Sequence, residues 1–264
     1  MSQTIALSIN LNKIALIRNS REGNNPDIAQ YAKRVIQGGA DGITVHPRPD
    51  QRHIRPEDCT QLSALVKQQK AHNAALEFNI EGNPFAAGCT ATRADFNDYP
   101  GFFSLVENCL PDQVTLVPDT DSQLTSDHGF DLNQDNSALR SQIKLFKAMG
   151  CRVSLFMDPV TDQISRAADL GADRIELYTG PFADSYANNK VAAKALFEQH
   201  RIAAEHAHSV GLGVNAGHDL NTHNLTMYKH LPYLLEVSIG HAFTIDALDY
   251  GLEKTLTNYR QALA

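Results

Sequence analysis

The segment Gly211 to Asp219 reads GLGVNAGHD, and Ser238 to His241 reads SIGH. Each looks like the end of a short apolar strand that delivers a glycine and then a histidine into a loop. A third ending of this kind, GITVH at Gly42 to His46, lies near the start of the chain. Histidines at strand ends, spread from one end of the sequence to the other, point to a barrel with one mouth, because barrel enzymes build their sites from the loops that follow the strands.

Working outward from these endings, strands are expected at Ile5–Asn10, Gly42–His46, Leu76–Glu81, Gln113–Val117, Arg152–Met157, Arg174–Tyr178, Gly213–Asn215 and Leu235–Ile239. Most are apolar runs rather than strict alternations, as suits parallel strands covered on both faces. Helical patterns fit between them. Pro26–Gln37 places Ile28, Tyr31, Ala32, Val35 and Ile36 near helical spacing and stops at Gly38-Gly39. Arg140–Ala148, Thr161–Leu170 and Val191–Val210 likewise end at or beside glycines. The rhythm of helix, glycine and strand predicts a single-domain (β/α)8 TIM barrel spanning residues 1–264. The alternative is an open doubly wound sheet, but no GxGxxG turn follows the first strand. Two stretches break the rhythm: 82–100, an expected insertion after the third strand, and 118–131 after the fourth. Either is a candidate lid or a solvated loop.

The 264 residues suffice for one large α/β domain with a sizeable core. With 42% hydrophobic and 20% charged residues and a net charge of −7, the composition is that of a soluble protein, and it argues against a nucleic-acid partner. Any phosphate must be held by local cations and backbone amides. No apolar run approaches the ~20 residues of a membrane span, and MSQTIALSINLNK lacks the basic start and apolar core of a signal peptide. Cys59, Cys89, Cys109 and Cys151 show no CxxC spacing. A cytoplasmic protein with reduced thiols is expected.

Polar residues gather at the expected strand ends: Asn10, Asn12, Lys13, Arg18 and Arg21 after the first, His46, Arg48, Arg52 and His53 after the second, and Glu81 after the third. Asp158 follows the fifth, Thr179-Gly180 the sixth, Asn215, Gly217 and His218 the seventh, and Gly240-His241 the eighth. A carboxylate and several histidines in one mouth can supply base and acid near neutral pH, while arginines, a lysine and glycine-backed amides can hold phosphates. Singly each has a plainer reading: a hydrogen-bonded histidine, an ion-pair partner for Glu81, a charged turn for Arg48 and Arg52. A metal site would need ligands from distant strands, since neither HxH nor HExxH spacing occurs. His200, His206 and His208 fall on a polar helix and read as surface residues.

Seven segments taken together are specific: SINLNKIALIRNSR (8–21), GADGITVHPRPDQRHI (39–54), FNIEG (78–82), LVPD (116–119), VSLFMD (153–158), VNAGHDL (214–220) and SIGHA (238–242). On these the chain resembles the pyridoxine 5′-phosphate synthase family, the ring-closing enzymes of deoxyxylulose-dependent vitamin B6 biosynthesis. The resemblance implies a cytoplasmic (β/α)8 barrel assembled as a homo-octamer. It implies condensation of 1-deoxy-D-xylulose 5-phosphate with 3-amino-2-oxopropyl phosphate to pyridoxine 5′-phosphate, phosphate and water, with no metal or organic cofactor. It makes His46 and Glu81 proton acceptors and His218 the proton donor. Arg48, His53 and Thr125 would hold the deoxyxylulose phosphate, and Asn10, Arg21, Gly240 and His241 the amino-ketone phosphate. The family pattern after the first strand is usually N-x-D-H, where this chain has Asn12 and Lys13. Glycine usually follows NAGH, where Asp219 stands, and histidine often ends the sixth strand, where Tyr178 stands. Asn12, Lys13 and Asp219 thus join the substrate-binding set and leave room for a diverged relative acting on, or only binding, another sugar phosphate.

Overall fold

In the computed structural model of the protein, residues 4–120 and 122–264 are described. Met1, Ser2 and Gln3 of the expected non-signal N-terminus, and Asp121 of the 118–131 loop, lie outside the described residues. The strands are β1 (Ala6–Asn10), β2 (Gly42–Val45), β3 (Glu77–Gly82), β4 (Gln113–Leu116), β5 (Arg152–Met157), β6 (Arg174–Tyr178), β7 (Gly213–Gly217) and β8 (Leu234–Ile239). Every neighbouring pair is parallel, and β8 returns to β1, so the sheet closes in chain order into a single-domain (β/α)8 barrel. The helices are α1 (Asn12–Asn19), α2 (Ile28–Gln37), α3 (Pro56–Gln69), α4 (Phe102–Cys109), α5 (Ser137–Ala148), α6 (Thr161–Leu170), α7 (Gly180–Asn188), α8 (Lys190–Ser209), α9 (Leu225–Tyr228), α10 (His241–Tyr250) and α11 (Leu252–Leu263). The expected strands are all present, with ends that move by at most two residues. β7 is the most extended relative to expectation, running through Gly217, because Ala216 and Gly217 pair in register with β6.

Alternation along each strand sorts side chains into two layers. Leu7, Ile9, Ile43, Val45, Phe78, Ile80, Val114, Leu116, Val153, Leu155, Ile175, Leu177, Val237 and Ile239 are buried and form the core under the helices. The other register is polar. Ser8 meets the Thr44 hydroxyl at 2.7 Å, Thr115 donates to Asn79 Oδ1 at 3.1 Å, and Asn215 Nδ2 donates to both Gln113 Oε1 and Glu236 Oε2 at 3.2 Å. β4 and β7 are not neighbours, so the Gln113–Asn215 bond crosses the lumen. Barrel interiors are commonly filled by branched aliphatics; here hydrogen bonds tie the strands from within. Burying polar groups is costly unless they find such partners.

The segment 83–100 packs as a wall rather than a free arm. Cys89 and Tyr99 form an antiparallel bridge, Phe102 N–H bonds Ala86 C=O at 2.9 Å, and Arg93 donates to Asn19 C=O at 2.7 Å. Arg55 and Arg93 sandwich the Phe96 ring at 4.0 and 4.3 Å. One surface expectation fails. His200 is buried, its Nδ1 meets the Tyr228 hydroxyl at 2.6 Å, and burial pushes its imidazole down to about 4. Its helix packs on α6 and α7 on several sides, so a polar-looking sequence still buries one face. His206 is half-buried and meets Ser165 Oγ at 2.6 Å, whereas His208 is exposed and stacks on Tyr233.

Candidate active site

The C-terminal ends of the strands bring most of the expected residues into one mouth. Asn10 ends β1. Its Oδ1 accepts the Asn12 N–H at 2.9 Å and its Nδ2 reaches Glu81 Oε2 across the lumen at 3.3 Å. Asn12 opens α1, and its Oδ1 accepts the backbone N–H of His46 at 2.9 Å. The neutral amide at position 12 therefore pins the end of β2. Its side-chain oxygen holds protein rather than standing free for substrate.

His46 is buried between two carboxyls, with Nδ1 3.9 Å from Glu81 Oε2 and Nε2 3.5 Å from Asp119 Oδ2. Burial, then Arg48, His53 and Arg52, hold its imidazole well below the ordinary 6.5. The ring is neutral near pH 7 and has a lone pair for a proton. Its neighbour His53 is pushed down to about 3 by burial and by Arg48, Lys13 and Arg52. His53 accepts the Ile54 N–H on Nδ1 at 3.0 Å, which leaves Nε2 as its N–H donor. Burial is the first cause that lifts Glu81 well above the carboxylate range, followed by the charges of Glu176, Asp119 and Glu236. A carboxyl raised in this way is a stronger base than an ordinary one, which suits it to take a proton.

His218 follows β7 with φ 86°, and Asp219 follows with φ 58°. Its Nδ1 lies 2.7 Å from Asp219 Oδ2 and its Nε2 2.8 Å from Thr125 Oγ1. The Tyr178 ring packs edge-on to it with centroids 5.2 Å apart. The aromatic ring at the end of β6 thus steers the histidine that follows β7. Gly240 caps α10, which begins at His241 without a side-chain cap. The first-turn N–H groups of a helix without a side-chain cap suit an anion. Gly240 also leaves room for Asn10, since a Cβ there would sit 3.1 Å from Asn10 Cβ.

The cations divide. Arg48 is buried and bound to the carboxylate of Asp119, and it donates to Gln123 C=O at 3.2 Å. It thereby fastens the 118–131 loop. Arg52 pairs with Asp50 at 2.6 Å and donates to Gln123 C=O at 3.0 Å. Arg18 is buried in a two-pronged pair with Asp58 and donates to His53 C=O at 3.1 Å, so it is a strut behind the site. Lys13 stands half-buried at the start of α1, close enough to bear on both His53 and Asp219. Arg21 is exposed beyond the far end of α1 and joins none of these contacts. Beside His46 opens a cavity of about 460 Å³, walled by Arg48, Asn83, Phe85, Ala87 and Asp119.

Two carboxyls in the mouth escaped the strand-end reading. Glu176 lies in the middle of β6, buried, and is pushed up to about 8 by burial and by Glu236. Asp119 lies past β4, and its Oδ2 gathers His46, Arg48 and the Ser126 hydroxyl at 2.9 Å. Glu176 is masked because it interrupts an apolar run, RIELY, like any stray polar residue. Asp119 closes the quoted LVPD, and that motif was its only signal.

Known proteins match this chain along nearly its whole length. The family described as pyridoxal phosphate biosynthesis protein PdxJ matches residues 7–264. The pyridoxine 5′-phosphate synthase of Xanthomonas campestris pv. campestris (strain B100) is 52% identical over 98% of this chain and 96% of that protein. The chain belongs to the pyridoxine 5′-phosphate synthase family. A synthase of this family from Cytophaga hutchinsonii is 49% identical, covering 97% of this chain and 98% of its own length. Solved barrels are more distant. A 3-keto-L-gulonate-6-phosphate decarboxylase from Vibrio cholerae matches with a TM-score of 0.55 at 10% identity, covering 99% of this chain and 98% of its own. A phosphoribosylanthranilate isomerase from Thermotoga maritima matches at 0.53 and 12%, covering 98% of both chains. These two share the fold of the synthase family and no more. No helix among the described residues is long and apolar enough to cross a membrane.

Proposed function

We propose that this chain is a pyridoxine 5′-phosphate synthase that condenses 1-deoxy-D-xylulose 5-phosphate with 3-amino-2-oxopropyl phosphate, releasing phosphate and water. The observation that carries the reading is the neutral His46 imidazole set within 4 Å of Glu81, with His218 held in the same mouth. The amine attacks the deoxyxylulose ketone, and a deoxyxylulose carbon attacks the amino-ketone carbonyl. One C–N and one C–C bond thus close the ring with a net loss of two waters, each leaving once its oxygen is protonated. Carbon-bound protons are then lost to His46 and Glu81. His218 protonates the departing group, and the buried carboxyl of Glu176, protonated near neutrality, is a second proton store. Such steps move protons and need no metal or organic cofactor.

In this reading the deoxyxylulose phosphate, which departs, is held by His53 and Thr125, with Arg48 shaping the loop between them. Lys13 adds a charge beside them. The amino-ketone phosphate, retained as the 5′-phosphate of the product, sits at the amides of Gly240 and His241 with Asn10. Arg21 enters only if the end of α1 is brought to a phosphate. The protein works in the cytoplasm as a homo-oligomer, an octamer in keeping with the family. Exposed apolar side chains on α1 (Leu16, Ile17) and α10 (Ile245, Leu248, Tyr250) support self-association.

The test is to incubate purified protein with both phosphates and follow pyridoxine 5′-phosphate by absorbance and mass. Product is expected only when both substrates are present. A folded protein that forms none would remove the reading in favour of a barrel acting on another sugar phosphate.

A further inference from the structure

We propose that Asp219 is a positioning residue, whose carboxylate holds the His218 ring by Nδ1 so that Nε2 alone exchanges protons with the reactants. The proposal rests on the reading of His218 as the proton donor of the condensation.

The His218–Asp219 contact sits on an unusual backbone that fixes how the two side chains meet. Here His218 and Asp219 both have positive φ, 86° and 58°, a costly choice for residues other than glycine. The turn is held from outside. The Thr179 hydroxyl bonds Gly217 C=O at 2.7 Å and also the carbonyl of His218, and Asn224 Nδ2 donates to Asp219 C=O at 3.1 Å. The outcome is the 2.7 Å contact from His218 Nδ1 to Asp219 Oδ2. The edge-on Tyr178 ring removes the remaining freedom of the imidazole.

The chemistry follows from the two ring nitrogens. A carboxylate only accepts, so a neutral His218 must place its proton on Nδ1 and present a lone pair at Nε2. Thr125, 2.8 Å from Nε2, then donates its hydroxyl there. When the ring takes a second proton, Nε2–H is the one available to a leaving group. The same division of labour orients the histidine of hydrolytic triads. Asp219 is kept ionised: the bond to His218 comes first, and the charges of His241 and Lys13 add to it, holding its carboxyl below the usual range against some burial. These groups approach from α10 and α1. A positive ring is thus matched by a negative partner that does not touch the reacting atoms.

Substitutions to glycine or asparagine suit the left-handed backbone at 219, so the turn survives them. The test compares wild type, Asp219→Gly and Asp219→Asn by ¹⁵N chemical shifts of labelled histidine ring nitrogens at pH 9 without substrate, and by steady-state kinetics with both phosphates. The proposal expects a His218 signature of Nδ1–H in wild type and a shift toward Nε2–H in Asp219→Gly. It expects kcat to fall about tenfold to hundredfold in Asp219→Gly, part of the ~10²–10⁴ that a general acid supplies, with each KM near that of wild type. Asp219→Asn, which still offers an acceptor oxygen, should recover much of both. An unchanged tautomer in Asp219→Gly overturns the proposal. So does a KM increase for the amino-ketone at unchanged kcat, which would make Asp219 a ligand of the substrate amine. The nitrogen shifts need no turnover, so failure of the condensation assay with a shifted tautomer removes the functional reading and leaves the pairing standing.

Discussion

Glu81 shows how much a single carboxyl gains from its surroundings. Its side chain is buried beside Asn10 and His46, and Glu176, Asp119 and Glu236 add their charges around it. Glu81→Gln keeps the shape and the Asn10 contact but cannot take a proton. It should lower kcat at least ~10²-fold, the scale for a lost general base, with the fold intact by circular dichroism. Turnover near wild type at saturating substrate would give Glu81 a structural role only. Lys13 makes a second case. It bears on His53 and Asp219 from the first turn of α1. Lys13→Met should raise KM for deoxyxylulose phosphate several-fold while kcat stays within about twofold, as loss of uniform binding does. Equal KM values would set Lys13 outside the phosphate site. His46, Glu81 and His218 were legible because each ends or follows a strand. The commitments of Arg18 and Arg48 to Asp58 and Asp119 were not, since partners 40 and 71 residues away leave no local trace.

At the level of elements, β7 carries the tightest constraint. Gly217 faces Glu176 on β6, and a Cβ there would run into its carboxyl oxygen. Gly217→Ala should therefore cost about 1–3 kcal/mol of stability as an overpacking change and lower kcat as well, because Glu176 must move. A thermal melt and a kinetic assay on the same sample check both. An alanine variant as stable and active as wild type would mean that β6 yields freely. Apolar runs and glycine stops disclosed all eight strands, since helix-covered parallel strands leave that mark. The same pattern hid the lumen. Ser8, Asn79, Gln113 and Asn215 look like lapses in apolar strands until closure brings them face to face. Segment 83–100 had no periodicity to read, because its order comes from Arg55, Arg93 and Phe96 meeting in space.

At the level of the whole molecule, buried histidines and buried glutamates pull stability in opposite directions with pH. His53 is pushed down to about 3 and His200 to about 4, from an ordinary 6.5. The unfolded chain binds those protons first, so stability from these rings is full above about pH 6.5 and is lost as pH falls toward about 3. Glu176 is pushed up to about 8 from an ordinary 4.5. The unfolded chain releases that proton first, so its contribution is full below about pH 4.5 and is lost as pH rises through about 8. Glu176→Gln removes only the second effect. Its gain in Tm over wild type should be larger at pH 8 than at pH 5, each unit of pKa displacement being about 1.4 kcal/mol. A gain independent of pH would show that Glu176 is not held protonated by the fold.

A chain emerging from the ribosome cannot shut this ring until its last strand is out, because β8 must pair with β1. The C-terminal helix then sews the seam, with Arg260 Nε bonding Gly39 C=O at 2.7 Å and Arg260 Nη1 pairing with Asp41 at 2.7 Å. His46 and Glu81 belong to the half made first, while Glu176 and His218 belong to the half made later. In the proposed reading, a half-synthesised chain holds the proton acceptors without the proton donor. The proposed site is therefore complete only at closure, when the last strand brings the two halves of the chain into one ring.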